Sequence, residues 1–469
     1  MKISKHDIVS ISHREQIGFD VVKKFVATGV SIDSRSIQKG DVFFAIRGDR
    51  FDGHDFISSA IAAGASAVIV ESRWAEVNRE MIMSIGVPSL IVDDTIHAFG
   101  ELARIHRRKF SIPVIMVAGS NGKTTTKEFI AAVLRKKYRV LATEGNHNNH
   151  IGVPQTLFQL TSKYDVVVLE GGTNHPGELA ELCSIAEPTH GLITNIGNEH
   201  LEFFGTLDGV ANAEGELFSY LRTHNGKVFL NADDQRLCRL AKGIRRVIRY
   251  GFRARQVAVR GLKLRLQENG CVEFYVKPQR GREFLITLGI PGEHNGMNAL
   301  AAATVGLTFQ VPKVQIANAL KNVTSPSNRM EVLKVDSITI LDDTYNANPD
   351  SMIAAFKTLS TLSGNGKRIA IVGDMLELGI DGAKFHREVG MAVKDFHIDV
   401  LWMYGTLARE LYQSASVLEK KRFDSKDELI ACAKEAIKPG DIILVKGSRG
   451  MKMEEVVVEL KNYFSQLIK

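Results

Sequence analysis

Residues 116–126 read MVAGSNGKTTT. The apolar run IPVIMVAG leads into this stretch as a buried strand, and a helical pattern follows from Thr124 to Lys137. A strand that turns through glycines into a helix aims backbone N–H groups and the helix dipole at an anion. Gly122-Lys123-Thr124 closes the stretch as a phosphate-binding loop closes. The usual spacing, G-x-x-x-x-G-K-[ST], would however put its first glycine where Val117 stands. The nearest glycine is Gly119, so the loop reads G-x-x-G-K-T and is two residues short. In that loop Lys123 would neutralise β/γ-phosphate charge and Thr124 would offer a hydroxyl to Mg²⁺. A plain glycine turn between strand and helix is the simpler alternative.

The next strands lend support. DVVVLE ends in Glu170, a carboxylate at the C-terminal end of a neighbouring strand, where a metal ligand belongs. TNIGNEHLEFFG puts His200 in the loop after another strand end. A lone histidine is usually structural; one beside two other candidate ligands reads as a third.

A length of 469 residues corresponds to about three domains. The apolar fraction of 44% and charged fraction of 24% are those of a folded protein. A net charge of +7 suits an anionic partner. Lysine and arginine are dispersed, and the densest run, Arg104 to Lys109, has no interleaved aromatics, so a nucleotide is expected rather than nucleic acid. Cys183, Cys238, Cys271 and Cys432 form no C-x-x-C pair and read as reduced thiols in the cytoplasm, with no zinc site. The N-terminus has no signal-peptide h-region. The longest apolar stretch, Ile57 to Val70, is too short to span a bilayer and is interrupted by Gly64, so no membrane insertion is expected.

Three α/β blocks emerge, at 1–110, 111–324 and 325–469. The first holds DVFFAIRG and SAVIV as strands, a helical pattern from His54 to Ala63, and a helix from Thr95 to Phe110. The second alternates strand, loop and helix, the grammar of a mainly parallel sheet with helices on both faces. Polar–apolar alternation from Val257 to Leu288, with turns at Asn269-Gly270 and Gln279 to Gly281, predicts an accessory antiparallel sheet there. The third block offers SITILDD, RIAIVGDM, VLWMYG and DIILVKGS as four buried strands of a Rossmann-like sheet.

Taken together, the shortened loop, the strand-end Glu170 and NIGNEHLE resemble the central domain of the Mur ligases; folylpolyglutamate synthases share part of the pattern. PGEHNGMNALAAA is similar to the family's G-x-H-N-x-x-N-A motif. By that resemblance Gly119, Ser120, Asn121, Gly122, Lys123, Thr124 and Thr125 would cradle ATP. His294, Asn295 and Asn298 would lie near its base, with Arg329 and Asp343 completing the nucleotide site. Read locally, Asn295 and Asn298 share one helix face and could simply cap it. The block SIDSRSIQKGDVFFAIRGDRFDGHDF resembles a UDP-binding domain and implies Ser34, Arg35, Gly53 and His54 as contacts to the UDP-linked substrate; Asp52-Gly53 alone is a common turn. DDTYNANPDSM, residues 342–352, resembles the branch that joins D-alanyl-D-alanine to UDP-N-acetylmuramoyl-tripeptide. There Asn346 and Asn348 would hold the dipeptide, because amides can both donate to a carboxylate and accept from an ammonium. GTNHPGEL, VGDMLELG, His386 and LVKGSRGMKMEE fit the same branch.

The resemblance implies a monomeric, ATP- and Mg²⁺-dependent ligase. A carboxylate would take the γ-phosphoryl group, and an amine would then attack the acyl phosphate. Lys123, His200, Glu214 and Arg329 would serve catalysis. Thr124, Glu170, His200 and Glu214 would serve the metal. One departure stands out. Family members carry a CO₂-carbamoylated lysine in an A-K-x-E pattern, whereas ANAEGELF puts Glu214 in that place. Glutamate keeps the charge, but its oxygens lie roughly 3–4 Å nearer the backbone. A solvated surface glutamate is the alternative. A sister ligase, a folylpolyglutamate synthase-like enzyme and a non-catalytic nucleotide-binding relative are the competing functional readings.

Overall fold

The structure, a computed structural model, describes residues 1–22 and 24–466. The chain divides into two compact units. One comprises Met1–Met116, Tyr138–Gly172 and Glu178–Thr189; the other comprises Val117–Lys137, Thr173–Gly177 and His190–Lys469.

In the first unit a five-stranded sheet runs in the spatial order Glu15–Ile17, Ser89–Val92, Ala67–Glu71, Asp41–Phe44, Gly29–Ser31. All neighbours are parallel except Glu15–Ile17 against Ser89–Val92. The predicted strands at 41–44 and 67–71 are present; three others were missed because each is only three or four residues long, too short for a periodic signal. The helix Thr95–Arg107 begins where Asp94 accepts the Ile96 and His97 N–H groups, an N-cap that satisfies two orphan donors. It ends three residues before the expected Phe110. Val140–Ala142 and Val166–Glu170 pair in parallel, and Glu170 is the last residue of its strand.

In the second unit His190–Ile193, Lys227–Asn231, Arg246–Gly251 and Val259–Leu266 pair successively in parallel. Val259–Leu266, Cys271–Pro278 and Phe284–Pro291 then form antiparallel hairpins. The expected accessory strands are thus appended to the edge of the parallel set rather than forming a separate sheet. The helices Lys123–Leu134 and Asn295–Thr308 pack on each other.

A six-stranded sheet follows, in the order Glu331–Val335, Ile338–Asp343, Ile442–Lys446, Arg368–Gly373, Val400–Tyr404, Glu419–Phe423. The four predicted strands form its centre; the two missed ones, GluValLeuLysVal and GluLysLysArgPhe, are its edges and carry charged residues that suppress an apolar run. Side chains alternate between faces, as strand geometry requires. Leu341, Ala370, Val372, Leu401, Met403 and Leu444 enter one core with Met352, Phe356 and Val389. Ile340, Ile369, Ile371, Trp402, Ile443 and Val445 enter the other with Leu429, Val456 and Leu460. Both faces are therefore covered by helices, which is why these strands read as continuous apolar runs.

Candidate functional site

The strand Val114–Ala118 is wholly buried and delivers the chain to the loop. Gly119 and Gly122 adopt φ of +114° and +78°, conformations that side-chain-bearing residues rarely tolerate. Gly122 also lies against Asn298, whose amide nitrogen and oxygen would each be 2.9 Å from a Cβ. The helix Lys123–Leu134 starts immediately after, with Gly122 as its N-cap and no side-chain cap, so its first N–H groups are left for an anion.

The loop is held by the segment after His190–Ile193. Asn121 N–H donates to Asn195 Oδ1 at 3.1 Å, and Asn121 O accepts from Thr194 Oγ1 at 2.7 Å and Asn195 Nδ2 at 2.8 Å. Gly197 N–H donates to Ser120 Oγ at 2.8 Å. Thr124 and Thr125 are buried.

Lys123 Nζ lies 3.3 Å from Glu199 Oε2. Glu214 closes this group from the helix Leu207–Glu214: it is completely buried, and its Oε2 accepts the Gly119 N–H at 2.6 Å. The surface-glutamate alternative is therefore wrong. Burial pushes the Glu214 carboxyl up to about 8; Glu199's charge adds to the rise, while Lys123 and the Gly119 N–H oppose it. Glu199 was not singled out from sequence, although a carboxylate in a strand-end loop one residue before His200 was the available signal.

His200 has φ +48° and caps the short helix Leu201–Phe204. Its Nδ1 is 2.6 Å from Glu377 Oε2, a close polar contact whose alignment is poor for a hydrogen bond. This contact to His200 holds the Glu377 carboxyl below its ordinary range. Asn295 Nδ2 donates to Pro291 O at 2.7 Å and Asn298 Nδ2 to Asn295 Oδ1 at 3.0 Å, so both amides brace the start of Asn295–Thr308; His294 is exposed at its N-terminus. The Arg329 guanidinium stacks 3.6 Å from the Tyr345 ring centre, a cation–π contact. Asp343 accepts from Met330 N–H at 3.0 Å and pairs with Lys446, which also donates to Asn346 O at 2.9 Å. Asn346 is exposed, and its Oδ1 accepts from Ala347 N–H at 2.9 Å and Arg449 N–H at 3.3 Å. Asn348 has both polar atoms committed: Oδ1 accepts from Ser351 N–H and Nδ2 donates to Asn121 Oδ1. His386 is buried, with Nδ1 donating to Gly382 O and Nε2 accepting from Met375 N–H; it ties the VGDMLELG loop to the following helix.

In the first unit Arg35 is exposed and grips Asp33 at 2.7 Å, while Ser34 is half-buried. Gly53 approaches Ile46, whose backbone N and O would each lie 2.6 Å from a Cβ. The His54 ring is fully buried; Nδ1 donates to Asp52 Oδ1 at 2.5 Å and Nε2 accepts the Glu71 N–H at 3.0 Å. Asn148 Nδ2 donates to Glu170 Oε1 at 2.9 Å.

Among the described residues, no three His, Cys, Asp or Glu side chains converge closely enough to make a metal cage by themselves. Mg²⁺ does not need one: it keeps waters and binds through one or two carboxylates plus substrate phosphates. The donors within the second unit fit it: with Glu214 ionised, the buried atoms Thr124 Oγ1, Glu199 Oε1 and Glu214 Oε1 have no hydrogen-bond partner in the protein, and in the first unit Glu170 Oε2 likewise has none. Orphaned buried oxygens are costly unless a ligand satisfies them.

Comparison with known proteins agrees with this geometry. Three family models match in chain order: the Mur ligase family catalytic domain at residues 26–107, the Mur ligase middle domain at 117–306, and the Mur ligase glutamate ligase domain at 328–449. The UDP-N-acetylmuramoyl-tripeptide–D-alanyl-D-alanine ligase of Escherichia coli is 38% identical, over 98% of this chain and 99% of its own. The enzyme of that name from Bacillus subtilis is 35% identical over 93% of each. Among solved structures, MurF from Acinetobacter baumannii superposes with a TM-score of 0.88 at 28% identity, covering 98% of this chain and 99% of its own. MurF from Thermotoga maritima, solved in complex with ADP, superposes with 0.81 at 27% identity, covering 93% and 98%. The chain belongs to the Mur ligase family, in its MurF branch.

Proposed function

We propose that this protein joins D-alanyl-D-alanine to UDP-N-acetylmuramoyl-tripeptide, converting ATP to ADP and phosphate through an acyl phosphate. The observation that carries this reading is the phosphate loop, with its left-handed glycines and Lys123, in a chain that matches ligases of that name along nearly its whole length. The chemistry brings an anionic carboxylate to an anionic triphosphate, so charge neutralisation is the main catalytic task.

The N–H groups of Gly119 to Thr125 and the Lys123 ammonium would bind the phosphates, with Ser120 and Asn121 fixing the loop. His294, Asn295 and Asn298 would border the base. Arg329 and Asp343 would complete the nucleotide site. Thr124, Glu170, His200 and Glu214 would hold Mg²⁺, which when bound screens phosphate charge and polarises the transferred group. Once the tripeptide carboxylate has taken the γ-phosphoryl group, the dipeptide amine attacks the activated carbonyl, phosphate leaves, and the ammonium-derived proton passes to solvent or phosphate. Asn346, with Asn348 behind it, would receive the dipeptide. Ser34, Arg35, Gly53 and His54 would form the place for the UDP moiety, Arg35 through its exposed charge and His54 by holding the Asp52 turn. The reading entails a cytoplasmic, monomeric enzyme, the compartment in which ATP and nucleotide-linked precursors meet.

The test is direct. The protein is incubated with ATP, Mg²⁺, the UDP-tripeptide and D-alanyl-D-alanine, and the product is sought by mass. Phosphate release that requires both acceptor and donor, with a product carrying two added alanines, is expected. Release without the dipeptide, or with another amino acid in its place, would overturn the proposal.

A further inference from the structure

Asn348 works in two directions. Its Oδ1 accepts the Ser351 N–H at 2.8 Å and caps the helix Pro349–Thr361, while its own N–H donates to Ser351 Oγ at 3.0 Å. Its Nδ2 donates to Asn121 Oδ1, in the middle of the phosphate loop, at 2.9 Å. Two residues on, Asp350 Oδ2 accepts the Asn198 N–H at 3.0 Å, in the segment that carries Glu199 and His200. Gly197 lies between these two bonds. A Cβ there would fall 2.7 Å from Asp350 Oδ2 and 3.1 Å from Asn121 Nδ2, so the close approach needs a residue without one. Asn121 is gripped on its backbone by Thr194 and Asn195 and on its side chain by Asn348.

Each Asn348 amide atom keeps one further hydrogen-bonding position, but the amide plane is already fixed between Ser351 and Asn121. Asn348 is therefore placed to act through the loop whether or not its second N–H meets a ligand. Asn346, two residues earlier and exposed, is the group that can meet an acceptor.

We propose that Asn348 and Asp350 are positioning residues. They seat the acceptor-bearing segment on the phosphate loop and on Asn198, so that the loop is ordered for phosphoryl transfer when that segment is docked. A misplacement of about 1 Å in reacting groups costs on the order of 100-fold in rate, so two short bonds at this junction suffice to control turnover. The inference rests on the ligase reading above.

The decisive variant is Asn348→Ser. Serine keeps an N-cap oxygen for the helix and removes only the donor to Asn121. The unfolding midpoint should stay at the wild-type value. Turnover should fall about tenfold or more, with KM for ATP and for the dipeptide within about twofold of wild type. Asp350→Ala should behave alike, and Asp350→Asn, which keeps an acceptor for Asn198, should recover most of the loss. Combining Asn348→Ser with Asn121→Ala should cost no more than the worse single change, because both remove one bond. Amide hydrogen exchange of residues 119–124, measured on the full chain without substrates, should be faster in Asn348→Ser. That last measurement needs no activity: failure of the wild type to make pentapeptide would sink the ligase reading and leave the loop measurement standing. Unchanged exchange in the loop, additive losses in the double variant, or a rise in dipeptide KM alone would overturn the positioning role and return Asn348 to direct dipeptide contact.

Discussion

The carboxylate of Glu214 accepts the backbone N–H of Gly119, with 2.6 Å between Oε2 and N. A fully buried acid thus holds the first glycine of the phosphate loop, beside Lys123 and Glu199.

The proton on Glu214 should be visible in stability. In the folded, nucleotide-free protein its carboxyl ionises at about 8, against the ordinary 4.5 expected of the unfolded chain. Between those values the folded state holds the extra proton, so stability falls as pH rises through that window. Urea unfolding of wild type and Glu214→Gln across this range should show the wild type losing ground to the variant as pH increases. Subtracting the two curves removes the contribution of His190, whose burial lowers its value to about 4. A pH-independent difference would mean that Glu214 is ionised against Lys123 throughout.

Carbon dioxide should be irrelevant to activity. Glu214 gains its charge by losing a proton, which a bound Mg²⁺ would favour, and needs no carbamate as a lysine in this place would. Pentapeptide synthesis at fixed pH should be unchanged when bicarbonate is stripped, and Glu214→Gln should raise the Mg²⁺ concentration needed for half-maximal rate. A bicarbonate requirement in the wild type would point to a modified lysine elsewhere.

Lys123→Ala should remove most turnover. A charge aimed at the developing phosphate charge is worth roughly 3–4 kcal/mol at comparable sites, or a few hundred-fold in rate. The side chain is 15% exposed, so little solvent screening weakens it. Binding of the UDP-tripeptide, followed by calorimetry, should persist; near-full synthesis by the variant would remove Lys123 from the phosphate site.

Asn346→Ala should raise the KM for D-alanyl-D-alanine more than that for ATP. Its oxygen already accepts the Ala347 and Arg449 N–H groups, so the dipeptide would take the amide N–H₂, and losing that bond should cost about 0.5–1.5 kcal/mol. Equal increases for both substrates would assign the residue to loop folding.

His54→Ala should cost stability before it costs chemistry. It strands the Glu71 N–H, at about 1–3 kcal/mol for a buried polar group left unpaired, while Asp52 keeps the Arg47 guanidinium and the residue-54 backbone N–H. The denaturant midpoint should drop, and KM for the UDP-tripeptide should rise only as the Asp52–Gly53 turn loosens. A large KM effect at unchanged stability would indicate direct contact by the ring.

Local sequence determined a good deal here. Apolar runs such as VIMVA and IILVK are strands because both faces of their sheets are covered, and no partner is needed to see that pattern. The spacing of Gly119, Gly122, Lys123 and Thr124 fixes a phosphate loop because left-handed φ and a helix start are local demands. Order along the chain was enough to indicate three α/β segments and the family. What the tertiary structure alone decided is which polar groups already have partners. The burial of Glu214, the contact of His200 with Glu377, the commitment of both His54 nitrogens, and the bond from Asn348 to Asn121 across 227 positions all join residues far apart in sequence or depend on the packing around them. Hydrogen bonding and desolvation act over a few ångströms in space, and a one-dimensional pattern carries no measure of that distance.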